Sequence, residues 1–172
     1  MDNKGIAIFP GAFKSPTLGH FTVAQNILDN PDIDQLLILI SPNPRKGIDA
    51  KMSKKIWEIY KPYLKSKKVT IQIADKSPVG TTYSLAKNTP DQTYYLAVGL
   101  RDESTEDLNR LNSAIKYLNI KPLIVNTQLS TSATKAREAL INKDKQEFFK
   151  LIPNIKEKEY IYNLLESLEI TK

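Results

Sequence analysis

The 172 residues, 41% hydrophobic and 26% charged, suit one soluble domain large enough to build its own core. No cysteine is present, which excludes disulfides, thiol catalysis and cysteine-based zinc sites. Lys and Arg number 25 against 19 Asp and Glu, and the net charge of +6 suits phosphorylated ligands.

Met1 to Lys4 lead directly into an apolar run, without a basic leader and signal core, and no apolar stretch nears the roughly 20 residues of a membrane helix. A cytoplasmic protein with no membrane partner is the expectation. Short apolar runs at 5–9, 35–41, 69–74, 93–98 and 122–126 read as parallel strands covered on both faces. Helical spacing separates them. Phe21, Ala24 and Leu28 mark a first helix, and Ile56, Ile59, Tyr60 and Tyr63 a second that Pro62 should end or kink. A short third helix is expected over 82–87. Leu108, Leu111, Ile115 and Leu118 mark a fourth, with Ser104 as its N-cap. Three further helices, at 132–142, 145–151 and 155–168, form a tail.

This alternation predicts an α/β fold, a doubly wound, five-stranded parallel Rossmann-like sheet with a C-terminal helical tail over 132–172, all within a single domain spanning 1–172. Ligands of such sheets bind beyond the carboxyl ends of the strands, near the switch in strand order. Four loops should converge there, at 10–20, 41–47, 99–103 and 128–134. The first reads Pro10-Gly11-Ala12-Phe13-Lys14-Ser15-Pro16-Thr17-Leu18-Gly19-His20, a Gly- and Pro-bearing turn between a strand and a helix start. Unpaired N–H groups and the helix dipole make that a place for phosphate, and the chain's one histidine ends the pattern as a donor to a phosphate oxygen.

The Pro-Gly-x-Phe start and Thr-x-Gly-His end resemble the signature of the HxGH-type nucleotidylyltransferases, the cytidylyltransferase-like superfamily. They look most like phosphopantetheine adenylyltransferase, with Thr17 standing for the first His. Lysine-bearing versions of the loop also look like phage-encoded cytidylyltransferase-like proteins. Gly99-Leu100-Arg101 matches the family's Gly-Leu-Arg after a central strand, and Thr131-Ser132-Ala133-Thr134-Lys135-Ala136-Arg137 resembles its Ile-Ser-Ser-Thr-x-Ile-Arg element. Asn43-Pro44-Arg45-Lys46 lies where the family carries a basic residue after its second strand. Lys14, at a position that is Asp in many members, and Ala12, in place of a Thr, depart from the pattern.

The resemblance implies transfer of an adenylyl group from ATP to a phosphorylated small molecule of the phosphopantetheine or nicotinamide mononucleotide type, with release of pyrophosphate. A CTP-dependent cytidylyltransferase acting on an alcohol or polyol phosphate, and a non-catalytic nucleotide-binding module, are the alternatives. It implies that His20 and Thr17 contact the α-phosphate, and that Arg101 and Arg137 neutralise the leaving pyrophosphate. Gly11, Ala12, Phe13, Gly19, Gly99, Leu100, Thr131, Ser132 and Thr134 would complete the nucleotide site; Lys14, Arg45 and Lys46 would face the acceptor. Mg²⁺ would ride on the nucleotide phosphates with no protein metal site, and the family's habit of assembly allows a homo-oligomer.

Two rival readings carry less. Lys65-Ser66-Lys67-Lys68 is the densest basic cluster, but it lacks interleaved aromatics, so nucleic acid is not an expected partner. Lys51-Met52-Ser53-Lys54-Lys55 looks like a signature of class I aminoacyl-tRNA synthetases. There it follows the last strand of the nucleotide fold, here the second, and Ser53 reads instead as the N-cap of the helix bearing Ile56 and Trp57.

Overall fold

A computed structural model describes residues 5–65, 68–100, 119–126 and 133–170. Five parallel strands, β1 (Gly5–Gly11), β2 (Ile33–Ile40), β3 (Lys68–Ile73), β4 (Tyr94–Leu100) and β5 (Ile120–Asn126), lie in the order β3-β2-β1-β4-β5. All five were legible as branched apolar runs, and the doubly wound sheet is the one expected.

Successive β1 side chains enter opposite layers, as strand geometry requires. Ala7 and Phe9 join a large core with Val23, Ile27, Ile56 and Trp57, and Ile8 joins a smaller one with Leu39, Ala86, Leu96 and Ile120. The larger layer is closed by α1 (Leu18–Leu28), α2 (Ala50–Tyr60) and the tail helices α4 (Ala133–Ile141), α5 (Lys145–Lys150) and α6 (Lys158–Glu166). Helix α3 (Pro78–Asn88) closes the smaller one.

Pairing of β1 with β2 runs from Gly5 to Gly11, whereas pairing with β4 covers only Ile6–Ile8. Pro10 falls where β1 and β4 have parted, so its missing N–H breaks no bond on that side. The parting lies at the switch in strand order, the crevice position at which such sheets take ligands.

Local chemistry moved several boundaries. Pro62 does end α2, in a single 3₁₀ turn at Lys61–Tyr63. The third helix begins at Pro78 rather than 82, because the Ser77 Oγ accepts the Gly80 N–H at 2.9 Å and Pro78 fits the first turn. The last helix begins at Lys158 rather than 155: Ile155 N–H turns back to the Pro153 carbonyl at 2.9 Å, a tight turn incompatible with helix. The fourth helix expected around Leu108–Leu118 lies outside the described residues. Among the described residues no helix is long and apolar enough to cross a membrane.

The tail reaches back over the loop after β2. Gly47 has φ +91°, and a Cβ there would meet the Glu169 carbonyl oxygen. Gly47→Ala should therefore lose at least about 1 kcal/mol, from the left-handed backbone plus the displaced tail. Urea unfolding of the two proteins measures it, and an unchanged midpoint would remove the tail contact from the account.

Candidate functional site

Four carbonyls of the first loop are held by side chains. The Ala12 carbonyl accepts from Lys14 Nζ at 2.7 Å, and the Phe13 carbonyl from Ser53 Oγ at 2.6 Å. The Lys14 carbonyl accepts from an Arg137 guanidinium N–H, and the Pro16 carbonyl from the Tyr60 hydroxyl at 2.9 Å. Across a trans peptide, C=O and the next N–H point in opposite directions. Drawing the Ala12 and Phe13 carbonyls inward therefore turns the Phe13 and Lys14 amides the other way, the geometry of an anion-binding turn.

Phe13 itself has φ 51°, unusual for an aromatic residue. Its ring is what fixes it. The ring stands edge-on to Phe9 at 5.1 Å, Trp57 at 5.3 Å and His20 at 5.0 Å. A Cβ on Gly11 would lie 2.7 Å from that ring, so the strand must end in glycine for the ring to fold back.

Thr17 is the N-cap of α1 and fully buried. Its N–H donates to His20 Nδ1 at 3.0 Å, and its Oγ1 is 3.3 Å from the same nitrogen. A neutral imidazole accepting at Nδ1 carries its proton on Nε2, so the ring is oriented as a donor through Nε2. His20 is half-buried and Gly19 buried. The Leu18 N–H at the helix start goes to the Leu151 carbonyl at 2.8 Å, which ties α1 to the tail.

The basic residues divide into two groups. Arg45 and Lys46 are exposed on a tight turn, closed by mutual N–H to carbonyl bonds between Arg45 and Ile48 at 2.9 and 3.0 Å, with Lys46 at φ 55°. Lys14 and Arg137 are buried, at 1% and 6% exposure. Lys14 Nζ also donates to the Ser41 carbonyl at 3.0 Å, so it bridges the ends of β1 and β2 rather than projecting from the loop. Arg137 donates back to Thr134 Oγ1 at 3.2 Å while gripping the Lys14 carbonyl. Burial first, then repulsion from Arg45, lowers the pKa of both; Asp49 opposes this at Lys14, which comes down to about 8.

The structure thus brings Gly11, Ala12, Phe13, Lys14, Thr17, Gly19, His20, Thr134 and Arg137 to one contiguous region, with Arg45 within electrostatic reach of its two buried cations. Gly99 and Leu100 end β4, on the far side of the crevice. Arg101, Thr131 and Ser132 lie outside the described residues.

Ser53 corrects the sequence expectation. The N-cap of α2 is Asp49, whose carboxylate accepts the Met52 N–H at 2.8 Å. Ser53 sits one turn in, fully buried, and serves the loop. The signal was present: 53, 56, 57 and 60 form the buried stripe of α2, and a serine in such a stripe needs an internal partner. Tyr60 marks only helical spacing in the sequence, yet its hydroxyl does the same work, and burial pushes that group's pKa far up.

Comparison with known proteins finds the fold, though not the sequence, in solved structures. No protein-family model matches the chain, and no curated protein matches it in sequence. Its fold is similar to that of Plasmodium falciparum nicotinic acid mononucleotide adenylyltransferase complexed with APC, with TM-score 0.65 and 16% identity over 94% of this chain and 97% of that one. The same enzyme complexed with NaAD gives TM-score 0.62 and 19% identity over 94% and 96%. Thermotoga maritima TmcAL bound with alpha-thio ATP gives TM-score 0.61 and 11% identity, over 94% of this chain but 55% of that chain. What is shared is the fold.

Two measurements check the site's internal ties. Ser53→Ala leaves the Phe13 carbonyl buried without its donor and should cost about 1–3 kcal/mol by urea unfolding; a near-neutral result would mean that the bond is not made. For Lys14, a folded-state pKa below the unfolded 10.5 means that the unfolded chain holds the proton more tightly, so this group's contribution to stability rises as pH increases from about 8 to 10.5. The stability difference between wild type and Lys14→Met, followed by unfolding across that range, should change in that direction.

Proposed function

We propose that the chain is a nucleotidylyltransferase that transfers an adenylyl group from ATP to a phosphorylated small molecule and releases pyrophosphate. The observation that carries this reading is the first loop: its Ala12 and Phe13 carbonyls are drawn onto Lys14 and Ser53, which turns the following amides the other way, and the His20 Nδ1 is occupied by the Thr17 N–H. Such a site offers directed donors to phosphate oxygens and no nucleophile, which is what in-line displacement at phosphorus requires. Its position at the carboxyl end of β1, beside the β1–β4 crevice, agrees with the position of ligands in sheets of this order.

In this reading His20 donates through Nε2 to the α-phosphate as negative charge builds there, and Thr17 holds the ring. The first-loop amides and the start of α4 with Thr134 receive the remaining phosphates, and Arg101 meets the leaving pyrophosphate. Arg45 and Lys46 face the acceptor phosphate from the exposed turn. Arg137 contributes positive potential from its buried place, with one N–H of each terminal nitrogen given to the Lys14 carbonyl and Thr134 Oγ1 and its buried Nε–H making no hydrogen bond among the described residues.

Among the described residues no group of three His, Cys, Asp or Glu could hold a metal. Any Mg²⁺ would be held by the oxygens of the triphosphate and would screen their charge, since the cationic donors here meet phosphate and offer a metal no ligand. The cysteine-free composition agrees with work in the cytoplasm.

The adenylyltransferase neighbours make pyridine mononucleotides the first acceptors to assay, with phosphopantetheine beside them. Pyrophosphate release with ATP and with CTP, crossed with nicotinamide mononucleotide, nicotinic acid mononucleotide, phosphopantetheine and polyol phosphates, tests the proposal. Turnover with ATP and one phosphorylated acceptor is expected; turnover with CTP alone would transfer the reading to a cytidylyltransferase. His20→Ala should lower kcat by about 10²–10³ while nucleotide affinity changes little, as for loss of a donor that acts in the transition state. Retained turnover in that variant would overturn the role given to the imidazole.

A further inference from the structure

A lysine at 1% exposure ordinarily has a carboxylate for company. Lys14 instead has two carbonyl oxygens, one from its own loop and one, Ser41, from the end of the neighbouring strand. Among the described residues, the charged groups bearing on it are Arg45 and Asp49, from the segment after β2, while Arg137 of α4 holds its carbonyl. Two of those three are cations, so charge attraction is not what keeps the ammonium in place.

We propose that Lys14 is a positioning residue: its Nζ fastens the His20-bearing loop to the end of β2 and so fixes the distance from the imidazole to the Arg45–Lys46 turn. The backbone supplies one tie between these segments, the Ser41 N–H to the Gly11 carbonyl at 2.9 Å, and Lys14 supplies a second beyond it. As a statement about catalysis it rests on the transfer reading above. It differs from the sequence expectation, in which Lys14 contacted the acceptor.

Donor arithmetic separates the two roles. An ammonium has three N–H donors and a neutral amine two. Two carbonyls need two, so the fastening survives deprotonation, whereas attraction of an acceptor phosphate does not. Methionine keeps the apolar stem and removes both donors, and arginine restores them. Misplacement of reacting groups by about 1 Å costs on the order of 10²-fold in rate, so a lost fastening shows in kcat rather than KM.

The experiment compares wild type, Lys14→Met and Lys14→Arg by hydrogen exchange and by steady-state kinetics. In Lys14→Met, amides at 11–17 and 41–47 should exchange together at least about tenfold faster while those of β1 and β2 before them hold. Its kcat should fall about 10²-fold with both KM values within about threefold, and Lys14→Arg should recover most of the loss. The wild-type acceptor KM should stay level from about pH 7.5 to 9, the range through which the Lys14 charge changes.

A rise in acceptor KM alone in Lys14→Met, or an acceptor KM climbing through that range in the wild type, would make Lys14 a direct contact and overturn the proposal. Unchanged exchange in either segment would overturn it too. The pH profile needs no variant, so a Lys14→Met chain that fails to fold leaves it decidable. If the wild type turns over no substrate pair, the transfer reading fails, and hydrogen exchange still decides whether Lys14 joins the two loops.

Discussion

The carbonyls of Ala12, Phe13, Lys14 and Pro16 are gripped from beneath, and the rest of the site follows from that grip. Ser53 and Tyr60 reach the loop from α2, Arg137 from α4, and Lys14 from within the loop itself. A buried carbonyl left without a donor costs about 1–3 kcal/mol, and four such ties are comparable to the whole stability margin of a small protein. The loop has little freedom to choose its own shape. The left-handed Phe13 backbone, worth on the order of 1–3 kcal/mol of strain, is held against that scale and by a ring inserted among Phe9, Trp57 and His20.

The rigidity is borrowed from the core. Ser53 and Tyr60 stand on the same stripe of α2 as Ile56 and Trp57, which pack under β1 and β2. A change in core packing is therefore transmitted to the imidazole through one helix and one ring. The tail enters the same network again beyond Arg137, by Leu151 accepting from the first residue of α1 and by Glu169 lying on Gly47. The helical tail thus forms part of the scaffold that holds the loops.

The sheet was legible because each strand is a short branched apolar run, and burial on both faces leaves few other uses for such a run. The first loop was legible because glycine, proline and histidine occur there at spacings that local geometry demands. What sequence could not give was direction. Lys14 and Arg45 are both loop cations by composition, yet one turns under the loop to serve two carbonyls and the other projects into solvent. Arg137 lies on a helix whose two faces carry both exposed and buried positions, and only tertiary packing decides that its guanidinium points inward. Ser53 was misread because a cap and a buried hydroxyl look alike in one dimension. Asp49, four residues earlier, was the better cap, since its carboxylate also favours the helix dipole.

Among the described residues, the electrostatics of the region run against folding. Lys14 and Arg137 lose hydration on burial, and Arg45 lowers the proton affinity of both. Asp49 is the carboxylate that acts on Lys14 in the other direction, and its charge is already engaged with the start of α2. Carbonyl dipoles solvate the buried cations but do not cancel their charge, so positive potential persists beside the outward amides of Phe13 and Lys14. An anion placed there gains hydrogen bonds and reduces the mutual repulsion of three cations at once. The two gains share one geometry, and that geometry exists only while the carbonyls stay turned inward. In the proposed reading, affinity for phosphate and the shape of the loop are accordingly one property, and a substitution that frees any of those carbonyls should weaken both together.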